Sequence, residues 1–176
     1  MLRNSAFLIW ALCFSVCLVG CSVIDYSPGP MVDQQASWGV LPFLNHTETP
    51  QAGRRAEAIT QALLYSRGVM NVQRYPASFQ DEAALLSSDD KVLDAAMQWA
   101  KKQQLRYVLT GTVDEWRYKV GVDGEPAVGV TLQIIDLDHD TVIWSGVGSQ
   151  SGWSREAVSA VAQKLIKTIL GKAELM

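Results

Sequence analysis

Three β-rich runs follow one another in the last third of the chain, at residues 105–120, 127–137 and 141–152, separated only by segments 121–126 and 138–140. Those separators are rich in Gly, Asp and Pro, so the runs fold back on one another as consecutive hairpins. A last helix is expected from Ser154, capped by that serine, with Glu156 in its first turn and Lys164, Lys167 and Lys172 toward its end. Val158, Val161, Leu165 and Ile169 recur at helical spacing and form the stripe it buries.

The preceding half alternates strand and helix. Residues 38–43 (WGVLPF) form a short apolar strand, and Thr49-Pro50 supplies an N-cap and first turn for a helix ending at Gly68, with Ala52, Ala56, Ile59 and Leu63 inward. A second short strand covers residues 71–74, and a helix runs from about Ser88 to Gln104 with Leu93, Ala96, Met97 and Ala100 inward. The order is βαβαβββα, an α+β fold: a mixed β-sheet with flanking helices, three-layer and sandwich-like. With 176 residues, 48% of them apolar, the chain holds one globular α/β domain, residues 37–176.

The N-terminus has a different character. Arg3, the apolar residues 6–19 (AFLIWALCFSVCLV) and Gly20 form a signal peptide over residues 1–20, too short for the roughly 20 apolar residues a spanning helix needs. Leu18-Val19-Gly20-Cys21 has the form of a bacterial lipobox, so Cys21 is the expected lipidation site; the alternative is an ordinary signal peptide followed by a chance cysteine. Ser22 in place of Asp favours the periplasmic face of the outer membrane. Cys13 and Cys17 leave with the signal peptide and Cys21 takes lipid, leaving no thiol for a disulfide, a nucleophile or a zinc site. Residues 21–36 then comprise the lipidated cysteine and a tether broken by Pro28-Gly29-Pro30. Extended at about 3.1 Å per residue, that tether would hold the domain about 45 Å from the lipid, unless it folds against a neighbour.

Charge narrows the partners. The chain carries 15 basic and 18 acidic side chains, and losing Arg3 with the leader leaves a net charge of −4. No basic run exceeds two residues, which excludes nucleic acid as a partner. Between Val120 and Ser154 stand Asp123, Glu125, Asp136, Asp138 and Asp140 without a Lys or Arg, and Asp81, Glu82, Asp89 and Asp90 form a second unopposed group. These acids are either solvated turn residues or, repeated around a symmetric ring, a field that concentrates a cationic solute. A glycosidase would need two carboxylates flanking a cleft, about 5 to 9 Å apart, which sequence alone does not show.

No nucleophile elbow, phosphate loop or dinucleotide fingerprint occurs, and no cofactor or metal is implied. His46 and His139 each stand in a turn and read as structural or solvated. Gly146, Gly148 and Gly152 mark a bulge or close backbone approach, or simple edge-strand tolerance. Of the tryptophans beyond the leader, Trp99 and Trp144 belong in the core by default. Trp153 either packs on the last helix or enters a lipid headgroup layer.

Residues 38–50 (WGVLPFLNHTETP), 107–119 (YVLTGTVDEWRYK), 122–126 (VDGEP) and 144–156 (WSGVGSQSGWSRE) together resemble the PelC family, outer-membrane lipoproteins of bacterial Pel exopolysaccharide export. The likeness spans nearly all of the chain beyond the leader. A more distant likeness, of fold only, is to the periplasmic domain shared by the curli secretion lipoprotein and the lipoprotein activators of peptidoglycan synthases. The PelC resemblance implies a non-enzymatic, ring-forming accessory, a dodecamer, beneath the outer-membrane pore PelB. It also implies an acidic funnel that guides a cationic, partly deacetylated amino-sugar polymer. Carried over residue by residue, Cys21 is the lipid site and Trp153 faces the outer-membrane lipid. Arg155 meets lipid phosphate, pairs across subunits or makes an internal salt bridge. Asp123 and Glu125 of DGEP are funnel acids, with Asp136 and Asp138 as further guiding acids. Two rival classes are a monomeric activator of a peptidoglycan synthase and a lipid-anchored glycan hydrolase.

Overall fold

A computed structural model describes residues 22–79, 89–121 and 124–176. Cys21, the leader and Asp123 lie outside the described residues. Among the described residues six strands and three long helices follow in the order β1 (Ser22–Tyr26), β2 (Trp38–Asn45), α1 (Ala52–Ser66), β3 (Val72–Arg74), α2 (Asp89–Lys102), β4 (Tyr107–Tyr118), β5 (Pro126–Asp136), β6 (Thr141–Ser151) and α3 (Val158–Leu170).

The strands make one sheet in the order β1-β6-β5-β4-β2-β3. The expected hairpins are there, β4 with β5 and β5 with β6, both antiparallel. β2 lies parallel to both β4 and β3, so the sheet is mixed. Strand alternation sorts the apolar side chains between its two faces. Val128, Val130, Leu132 and Ile134 of β5 join Trp38, Val40 and the buried stripes of α1 and α3 on one face. Leu41, Val108 and Leu105 meet Ala96 and Ala100 of α2 on the other. Helices therefore cover both faces, giving three layers.

α3 packs tightly because β6 offers it no side chain at two positions. A Cβ on Gly146 would stand 2.7 Å from Ile169 Cγ2, and one on Gly148 would stand 3.0 Å from Ile169 Cδ1. Leu165, Ile166 and Ile169 are fully buried, each contributing about 2 kcal/mol over an exposed position. The glycines thus mark close approach of a helix to a strand.

Three expectations change. Residues 22–36 are not a free tether: β1 pairs with the edge of β6, Ser22 opposite Gln150 and Tyr26 opposite Gly146. The segment continues along the molecule, with Ser27 N–H donating to Ser145 C=O at 2.8 Å and Val32, 1% exposed, bridging to Leu175. Ile24 packs on the core beside Gly148, and the Pro28-Gly29-Pro30 breaker falls just past the strand, where it ends pairing rather than preventing it. Secondly, Thr49 does not cap α1. Its hydroxyl donates to Trp116 C=O at 2.5 Å, and the cap position is held by Gln51 in a left-handed conformation, φ 60°. Thirdly, α3 begins at Val158 rather than Ser154, because residues 153–156 form a separate turn.

Candidate functional site

Strand register brings three distant stretches to one end of the sheet. Ser22 lies opposite Gln150, Ala127 opposite Ser151, and Tyr118 opposite Pro126. The first described residue, the β4–β5 turn and the segment after β6 are therefore neighbours. Gly152 N–H donates to Pro126 C=O at 2.8 Å, and Tyr118 Oη donates to Glu156 C=O at 3.1 Å. These bonds tie the hairpin tip to the 152–156 turn.

That turn is organised by Glu156. Its own N–H donates to Trp153 C=O at 3.0 Å, and its carboxylate accepts the Trp153 N–H at 3.2 Å and Lys164 Nζ at 2.5 Å. The Lys164 bond first, then the Trp153 N–H and the Lys164 charge, hold the Glu156 carboxyl below its ordinary range, against the opposing effect of burial. Arg155 pays for the sharp reversal with a left-handed backbone, φ 69°, a conformation costly for any residue with a Cβ. Trp153 emerges 55% exposed. Arg155 is exposed and makes no ion pair among the described residues. At the same end, Glu125 is half-exposed and 4.0 Å from Lys119 Nζ, which also donates to Ser151 Oγ at 2.6 Å.

Asp136 and Asp138 lie elsewhere. They sit at the opposite end of β5, which at about 3.4 Å per residue is roughly 35 Å away from the first end. Arg106, just before β4, reaches both: Nη1 stands 2.8 Å from Asp136 Oδ1, Nη2 donates to Oδ2 at 2.9 Å, and Asp138 also pairs with it. His139 Nδ1 is 3.0 Å from Asp136 Oδ2, and the Asp138 N–H donates to Asp136 Oδ1 at 2.9 Å. Burial alone would raise the Asp136 carboxyl, but the His139 bond, the Asp138 N–H and the Arg106 charge hold it below the usual carboxylate range. Arg106 also stacks 5.0 Å from the Tyr107 ring centre, and Lys101 pairs with Asp140 at 2.6 Å.

The acids that lack a basic neighbour in sequence thus divide. Glu125 stays open at one end, whereas Asp136, Asp138 and Asp140 acquire cations from outside their own segment. Sequence reasoning missed Arg106, Tyr118 and the carboxylate of Glu156. The register of the first hairpin, with Tyr107 opposite Asp136, could have found Arg106, because it sets the preceding cation beside the following acidic turn. His46 pairs with Asp114 at 3.1 Å, both side chains half-exposed.

No protein-family model and no curated protein matches the chain. Solved structures do. A leucine-to-methionine variant of the PelC dodecamer from Paraburkholderia phytofirmans is 40% identical, with a TM-score of 0.76 over 89% of this chain and 100% of that one. The PelC dodecamer from the same organism in another crystal form is 37% identical, with a TM-score of 0.75 and the same coverage. Lipoprotein GNA1162 from Neisseria meningitidis, 20% identical over 78% of this chain and 96% of its own, shares the fold, with a TM-score of 0.57. At this identity and coverage, and with the sheet order and helix layers described above, the chain belongs to the PelC family.

Proposed function

We propose that the protein is a lipid-anchored, ring-forming accessory of Pel exopolysaccharide export, held at the periplasmic face of the outer membrane, where it guides a cationic amino-sugar polymer toward the pore protein PelB. The observation that carries this reading is the convergence at one end of the sheet. Ser22, the residue after the lipobox cysteine, shares that end with exposed Trp153, cationic Arg155 and the hairpin that bears Glu125 and Asp123. Acyl chains on Cys21 would supply the membrane affinity, at about 0.8 kcal/mol per buried methylene. Trp153 suits the headgroup layer, where an amphipathic ring keeps one edge wet. The docking of β1 supports this arrangement over an activator that reaches across the periplasm, since the segment expected to act as a tether is part of the sheet.

The oligomer follows the PelC relatives, which are dodecamers. Around such a ring Asp123 and Glu125 would recur in every subunit, and their fields would add over the mouth. Asp136 and Asp138 share Arg106, which offsets one of their two charges, and have a smaller part in that field. Native mass measurement of the detergent-extracted protein tests the reading. A dodecamer mass is expected; a strictly monomeric protein at high concentration would overturn the ring, and with it the collective field.

A further inference from the structure

We propose that neighbouring copies of this chain meet flank to flank, the β1 edge of one against the β3 edge of the next, with Asp25 paired to Arg74 of the partner subunit; this rests on the reading of the protein as a ring-forming subunit. β1 and β3 are the two outer strands of the sheet. Their places suit a ring whose membrane side is the strand end that carries Trp153, because the strand edges then face sideways. A cyclic ring of more than two copies closes through a heterologous contact, in which one patch meets a different one. The two edges of one sheet supply such a pair.

The β1 flank is open. Val23 and Asp25 lie opposite Ser149 and Val147 of β6, on the face turned away from α3, with Val23 66% and Val147 45% exposed. α2, the helix on that face, packs instead over Leu41 and Val108. Strands β1, β5 and β6 contain no Lys or Arg, and Asp25 is exposed and makes no ion pair among the described residues. A free edge with so little charge is a template for another chain until something covers it. The β3 flank complements it in charge. Met70 is 71% and Tyr65 42% exposed, and the Tyr65 hydroxyl donates to Val72 C=O at 3.2 Å, which sets that ring beside the edge. Arg74 is exposed, again with no ion pair among the described residues, and neither β3 nor the exposed positions of α1 hold an acid. Register brings the two charges to similar heights. Asp25 leads through Val147 and Thr131 to Thr112 of β4, and Arg74 leads through Val40 to Leu109. Those β4 positions are about 10 Å apart along the strand, an offset that sheet twist and the length of an arginine side chain take up.

Cysteine cross-linking of the full lipoprotein in detergent tests the contact, since an acylated Cys21 offers no thiol. With Asp25→Cys and Arg74→Cys in one chain, a short bis-maleimide should give a ladder of covalent multimers. Either cysteine alone should give none, because a flank does not meet its own copy. A ladder from one cysteine alone, or an intact dodecamer with no ladder, overturns the inference and leaves the ring standing. A strictly monomeric native protein overturns both. Charge reversal gives a second reading that needs no label. Asp25→Arg and Arg74→Asp should each raise the protein concentration at half assembly by about fivefold or more, and the two together should return it to within about twofold of the native value. Equal assembly by all of these proteins, or no recovery in the double reversal, overturns the inference.

Discussion

The two ends of the sheet carry similar side chains in opposite physical states. At the far end, Arg106 gathers Asp136 and Asp138, His139 adds a further bond, and Asp136 is 7% exposed. At the near end, Glu125 has one cation 4.0 Å away, and Trp153, Val120 and Tyr118 face solvent. A carboxylate surrounded by donors stabilises the fold and has little attraction left for a solute, whereas an open one contributes little to stability and keeps its field. The difference shows that acid count along the chain is a poor guide to where a cationic polymer would be drawn.

Four variants and one pH series would break or sharpen that contrast. The largest effect is expected from Cys21→Ser, which should move the protein from the membrane to the soluble fraction while its thermal midpoint stays unchanged, because acyl chains on Cys21 would supply most of the affinity. Unchanged sedimentation with membranes would transfer that role to the exposed residues of the near end. Next is Asp136→Ala, which leaves Arg106 without its buried partner and should lower stability by about 2 kcal/mol, read as a fall in the denaturant midpoint. A loss no greater than that of Glu125→Ala would erase the distinction between the two ends.

Glu156→Gln comes third. It keeps the shape but weakens the bonds to Lys164 and the Trp153 N–H, at a cost of about 1 kcal/mol, and should raise the mobility of the Trp153 turn. Acidification probes the same contacts. Because the folded carboxyls of Glu156 and Asp136 lie below their ordinary values of 4.5 and 3.8, their stabilisation is complete above those values and is lost as pH falls through the folded ones. Unfolding midpoints measured from pH 6 to pH 2, a range covering most of the roughly pH 5 to 1 over which salt-bridged carboxylates lose their contribution, should therefore decline only toward the acid end. Smallest in stability is Asp123→Asn with Glu125→Gln, expected within about 0.5 kcal/mol of the native protein. Its effect belongs in function, as weaker binding of a cationic amino-sugar oligomer, with a salt dependence set by screening over about 8 Å. Equal binding of cationic and neutral oligomers by the native protein would leave these acids as turn residues.

Much of the fold was legible because it is written in local periods. The β-rich runs, the stripe of α3 and the inward face of α2 depend on neighbours a few residues away, and each was found within a few residues of its place. What failed was set by partners far along the chain. Ser22–Tyr26 is a strand because β6 has a free edge, and nothing within that pentapeptide announces it. Ser154 and Glu156 resemble a helix start, yet Glu156 turns its carboxylate back to the Trp153 N–H and forward to Lys164, so the helix begins later. The near-end site was half-readable for the same reason. Trp153 could be singled out by its flanking Gly152 and Ser154, but its exposure depends on how the turn is held, and Arg106 reaches Asp136 across thirty residues.

The docked N-terminal strand also decides how the domain would bear load. A lipid at Cys21 would pull on β1 from its first residue, along the strand and away from the sheet. β1 runs antiparallel to β6 over all five of its residues, from Ser22 opposite Gln150 to Tyr26 opposite Gly146. A force in that direction shears the whole ladder at once, and its hydrogen bonds share the strain instead of opening one after another. Secured in this way, a subunit would resist being dragged from the membrane by a moving polymer, and slack in the mooring would be no longer than the link between Cys21 and Ser22.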